Sequence, residues 1–86
     1  MAGRMVDKLN RHVRSGLVNH NIVIDGRRTS VRLEPQMWDA LNEIAWREGR
    51  KVHDICSEVD ADRVQSTFSA SLRVYILTYF RSAAKD

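Results

Sequence analysis

Ile24-Asp25-Gly26-Arg27-Arg28-Thr29-Ser30-Val31-Arg32-Leu33-Glu34-Pro35 is the stretch on which the fold turns. Asp25-Gly26 signals a two-residue turn, because both central residues of a type I′ turn need positive φ. Beyond it, Thr29, Val31 and Leu33 alternate with Arg28, Ser30 and Arg32. That period of two predicts a strand with one apolar face and one face carrying two arginines and a serine. The β-branched run Ile22-Val23-Ile24 extends the expected extended region to residues 22–33. Pro35 then opens a helix, in a first turn where its missing N–H costs nothing.

The helix after Pro35 shows one apolar stripe, Trp38, Leu41, Ile44 and Ala45 with Met37 alongside, and Gly49 supplies its stop. Val52, Ile55, Cys56 and Val59 predict a second, shorter helix over about residues 52–59. Arg50 and Lys51 stand at its start, where the helix dipole disfavours cations unless an anion binds there. Asp60 to Gln65 reads as a polar connector, and Ser66, Thr67 or Ser69 can cap a third helix running to about Arg81. Phe68, Leu72, Val74, Tyr75, Ile76, Leu77, Tyr79 and Phe80 cover that helix almost all round, which predicts burial on more than one side, more cover than one chain is expected to supply and so a pointer to a dimer. Residues 1–20 read as a basic arm, flexible or ordered by a partner, with Val6, Leu9, Val13 and Leu17 at helical spacing.

Eighty-six residues, 43% of them hydrophobic, make one small domain, here residues 21–86 behind the arm. A chain this short buries a modest share of its surface. With a single cysteine it has no internal disulfide, so pairing of two copies is the expected way to enlarge the core. No run approaches the roughly 20 apolar residues of a membrane span, and no apolar segment follows Met1 to suggest a secretory leader. A cytoplasmic protein is the expectation. The net charge of +3 is segregated: residues 1–33 hold seven Lys/Arg against two acids, residues 34–62 three against eight, and residues 63–86 four against one. Such asymmetry points the N-terminal part toward a polyanion.

Enzymatic chemistry finds little support. His53 and Cys56 are three apart on a helix, but no third group orients them, and Cys56 reads as a small core residue. His12, His20 and His53 match no metal-ligand spacing, and no phosphate-cradling glycine loop is present. No cofactor is expected. Trp38, Tyr75, Tyr79 and Phe80 fall at core spacing rather than on a base-stacking platform. Nucleic acid fits better. A lone strand must pair, and the same strand of a second copy would complete an antiparallel ribbon. Such a ribbon suits the major groove, about 12 Å wide. Its outer face would offer Arg28, Ser30 and Arg32 to base edges. Its inner face, Val31 and Leu33, would close over Trp38, Leu41 and Ile44. Lys51 at the second helix start would hold a phosphate.

Thr29-Ser30-Val31-Arg32-Leu33-Glu34-Pro35, with Trp38, Leu41, Ile44-Ala45 and Gly49, resembles the ribbon-helix-helix superfamily, and more closely a bacterial ribbon-helix-helix domain family. Ser71-Leu72-Arg73-Val74-Tyr75-Ile76-Leu77-Thr78-Tyr79 matches its later stretch, and the likeness covers about residues 22–81. It implies a mostly α fold with a short N-terminal β-ribbon, a ribbon-helix-helix dimer carrying an additional C-terminal helix. It also implies a homodimeric regulator or repressor of transcription that binds double-stranded DNA, with further assembly of dimers on DNA open. Base contacts are expected from Arg28, Ser30 and Arg32, and phosphate contacts from Arg27, Arg50, Lys51 and Ser69. The shared dimer core is expected from Val31, Leu33, Trp38, Leu41, Ile44, Leu72 and Ile76. Asp25-Gly26 adds a condition. If each chain forms its own hairpin, Ile22–Ile24 must peel away or pair beyond the groove. Two alternatives stand beside this reading: an antitoxin-type regulator whose protein partner binds through residues 1–20, and an interaction or scaffold dimer that keeps the fold without binding DNA.

Overall fold

The computed structural model describes residues 16–85. Two strands, β1 (Val18–Ile24) and β2 (Arg27–Leu33), precede three helices, α1 (Pro35–Glu48), α2 (Val52–Asp62) and α3 (Phe68–Lys85). The strands form one antiparallel hairpin, and their register runs without a gap from Ile24 opposite Arg27 to Val18 opposite Leu33. Asp25 and Gly26 have φ of 51° and 77°, the two positive values that a type I′ turn requires. The first pairing partner of β2 is therefore β1 of the same chain and not a second copy of β2. The local turn closes the hairpin at a far smaller entropic cost than association does. Ile22–Ile24 does not peel away. The strand also starts at Val18, four residues before the expected Ile22, inside the segment read as an arm. The rest of that arm, residues 1–15 with Val6, Leu9, Val13 and His12, lies outside the described residues.

Glu34 precedes Pro35 at the N-terminus of α1, and its carbonyl accepts from the Met37 and Trp38 N–H groups. The helix ends in a left-handed residue, Gly49 (φ 63°). The Arg50 N–H reaches the Ala45 carbonyl at 2.9 Å and the Gly49 N–H reaches that of Trp46 at 3.4 Å, the paired bonds of a Schellman stop. α2 continues three residues beyond the expected Val59, to Asp62. Arg63 then ties the connector, donating to Asp60 Oδ1 at 3.0 Å and to the Ser66 carbonyl at 3.2 Å. Thr67 caps α3 through its Oγ1, which accepts from the Ala70 N–H at 3.2 Å.

Ile22, Ile24, Val31 and Leu33 from the hairpin meet Trp38, Leu41, Ile44 and Ala45 of α1, Ile55, Cys56 and Val59 of α2, and Leu72 and Ile76 of α3. Val31, Leu33, Trp38, Leu41, Ile44, Leu72 and Ile76, expected in a dimer core, are no more than 6% exposed already within one chain. The single chain covers α3 along one side, and Val74 and Leu77 on its other side are more than half exposed, apolar surface of the kind expected to need a second copy. Glu34 holds α3 in place: Arg73 donates to both of its carboxylate oxygens, at 3.0 and 3.2 Å.

Candidate nucleic-acid interface

The hairpin register sorts its side chains. Ile22, Ile24, Val31 and Leu33 point into the core, and Asn19, Asn21, Val23, Arg28, Ser30 and Arg32 stand exposed on the opposite face. Asn19 faces Arg32, Asn21 faces Ser30 and Val23 faces Arg28. Among the described residues, neither Arg28 nor Arg32 is engaged by a carboxylate. The Ser30 hydroxyl donates to Asn19 Oδ1 at 2.6 Å. Arg27 does not join this row. It sits on the other face, exposed at the hairpin tip opposite Ile24.

The two edges of the hairpin differ. In a two-residue hairpin the closing pair is hydrogen-bonded, so the backbone groups of Val23, Asn21 and Asn19 point away from β2, and those of Arg28, Ser30 and Arg32 away from β1. The β1 edge is met by α2, where the Val23 N–H donates to His53 Nδ1 at 3.0 Å, and the start of the strand is held by Trp38 Nε1, which donates to the Val18 carbonyl at 2.8 Å. His20 packs edge-on against the Trp38 ring, with centroids 4.5 Å apart. Among the described residues, the β2 edge is open apart from its last carbonyl, that of Arg32, which accepts from Ser69 Oγ at 3.4 Å.

The expected phosphate-binding residues therefore fall in different places. α2 begins beside the β1 edge, where His53 meets Val23. Lys51 is exposed at its N-terminus, and α2 receives no side-chain cap. Arg50 lies next to it but is spanned by Glu58 at 2.8 Å, and that carboxylate strengthens the guanidinium's hold on its proton. Ser69 is at the other edge, with its hydroxyl turned to Arg32. Four of the eight acids of residues 34–62 are held in ion pairs. Glu34, Glu43, Glu58 and Asp60 pair with Arg73, Arg47, Arg50 and Arg63, and Glu48 accepts from the Tyr79 hydroxyl at 2.7 Å.

Nucleophile chemistry has no footing at Cys56. The side chain is fully buried, and burial pushes its thiol up to about 11, so it stays protonated at neutral pH. His53 is turned to the β1 backbone instead. No group of three or more His, Cys, Asp or Glu gathers as a metal site among the described residues. No helix among them is long and apolar enough to cross a membrane.

Asn19 and Asn21 are the outer-face residues that the sequence reading missed. The signal was present: a two-residue turn at Asp25-Gly26 fixes the register, and the register sets Asn21 against Ser30 and Asn19 against Arg32.

A family model described as a ribbon-helix-helix domain matches residues 17–80. Among solved structures the chain is similar to an uncharacterized protein from Bordetella pertussis Tohama I, with 32% sequence identity and a TM-score of 0.71. The match covers 86% of this chain and 63% of that one, so the chain spans less than two thirds of that protein's length. No curated protein matches the sequence.

Proposed function

Since the chain belongs to the ribbon-helix-helix domain family, whose members generally dimerise and bind DNA, we propose that it is a homodimeric, sequence-specific regulator that reads double-stranded DNA through the outer face of its hairpin. The observation that carries this reading is the row Arg28-Ser30-Arg32. It is exposed, set on a rigid ribbon and unneutralised by any carboxylate among the described residues. Arginine pairs bidentately with guanine, and serine serves either kind of base.

Joining two copies through their open β2 edges gives four strands in the order β1-β2-β2-β1. At about 4.8 Å per step the outer strands lie about 14 Å apart, against a groove of about 12 Å. Insertion of a bare two-stranded ribbon is thus replaced by a sheet laid across the groove. The two β2 strands face the bases, and their long arginines reach inward. The β1 strands lie over the rims, where Asn19 and Asn21 suit phosphate oxygens. Lys51 lies two residues before His53, which meets the β1 edge, at a helix N-terminus whose N–H groups favour an anion. This arrangement favours the start of α2 over Ser69 as the phosphate site.

Titration of duplex binding with salt tests the reading. The log of affinity falls linearly with the log of salt concentration, and Lys51→Ala reduces that slope by about one unit if it removes one phosphate contact. Arg28→Ala combined with Arg32→Ala flattens the base preference at the positions those arginines read. If the wild-type chain shows no salt-dependent duplex binding, the reading fails.

A further inference from the structure

Ser30 is a hydroxyl, with one proton to give and two lone pairs to receive. By itself it would rotate to suit any base. In this hairpin its proton is already committed to Asn19 Oδ1 at 2.6 Å, across the diagonal between the strands. What remains toward the groove is an acceptor. Building on the DNA-binding reading above, we propose that Asn19 is a specificity-determining positioning residue: by accepting the Ser30 proton it restricts Ser30 to a base that presents an amino group in the major groove.

The chemistry of the groove makes this selective. Adenine offers its N6 amino group there and cytosine its N4 amino group, whereas guanine and the thymine carbonyl offer acceptors. A Ser30 with its proton turned away meets guanine O6 or thymine O4 with lone pair against lone pair. The bond also orients the amide. With Oδ1 facing Ser30, the two donors of Asn19 Nδ2 are left for a rim phosphate. Asn19 stands opposite Arg32, which donates only, so nothing on that neighbour competes for the proton.

Selection of bound duplexes from a random library, run in parallel on wild type, Ser30→Ala, Asn19→Ala and Asn19→Asp, tests the proposal. For the wild type one position in each half-site prefers adenine or cytosine by roughly three- to tenfold, the scale of one hydrogen bond. Ser30→Ala flattens that position. Asn19→Ala flattens the same position and leaves the rest of the motif intact, which also shows that the variant is folded. Asn19→Asp keeps an acceptor for the Ser30 proton, so it keeps the preference while its added negative charge weakens binding overall. Retention of the preference in Asn19→Ala overturns the inference, as does a motif that Ser30→Ala leaves unchanged at every position. A wild type that enriches no motif overturns the DNA reading itself.

Discussion

Arg32 stands on the outer face of β2, opposite Asn19 and outside every ion pair among the described residues. If it is bidentate to guanine, Arg32→Ala costs roughly 1–3 kcal/mol of binding per subunit and relaxes base preference at one position. A competition assay with point-substituted duplexes measures both. Cys56 makes the opposite prediction. It is fully buried with its thiol pushed up to about 11, so the folded protein resists alkylation at neutral pH, and the thiol reacts only after denaturant exposes it. The facing of Arg28, Ser30 and Arg32 was legible in the sequence, because alternation with buried residues leaves one assignment of faces. The state of Arg50 was not. Its partner Glu58 lies eight residues on, beyond the three- and four-residue spacing at which helical ion pairs are read from sequence.

At the scale of elements, the turn and the attachment of α3 carry the predictions. Gly26 sits at φ 77°, so Gly26→Val forces a β-branched residue into the left-handed region and costs about 1–2 kcal/mol. A chemical denaturation midpoint reads that loss. Glu34 anchors α3 through Arg73, whose hydrogen bonds hold the carboxyl below its ordinary 4.5. A lowered carboxyl stabilises the fold above its unfolded value, and the contribution disappears as pH falls through the folded value. The pair is about one third exposed, so its worth is only about 0.5–1 kcal/mol. Glu34→Gln should therefore lower stability slightly at pH 7 and flatten that part of the acid limb, as pH-dependent unfolding would show. The helices were legible from their apolar spacing and from Pro35 and Gly49. The start of β1 was not: Val18-Asn19-His20-Asn21 is polar enough to read as arm, and it becomes strand because β2, already fixed by its own alternation, offers it a template. That one chain leaves part of α3 uncovered was legible, but not which side, since a helix apolar all round does not say which side its own chain will cover.

For the assembled protein, the seven core residues are already buried within one chain, and self-association can draw on further surfaces. The open β2 edge is one such surface. The register that pairs all seven residues of β2 with those of a second copy sets Ser30 against Ser30 and Arg28 against Arg32. Like charges directly opposite destabilise a sheet, and a polyanion across that face removes the repulsion. Sedimentation at several concentrations should therefore show the dimer tightening when a short duplex is added. A dimer constant indifferent to duplex would argue that the copies meet elsewhere, for example along Val74 and Leu77 of α3. The central claim, that two hairpins present Arg28, Ser30 and Arg32 to one stretch of duplex, is tested most directly by sequencing the duplexes that the protein retains from a random library. The expected result is a motif with two-fold symmetry whose arginine-read positions go flat in the Arg28→Ala, Arg32→Ala double variant. Duplexes retained without any common motif, or a motif that the double variant leaves unchanged at every position, would overturn it.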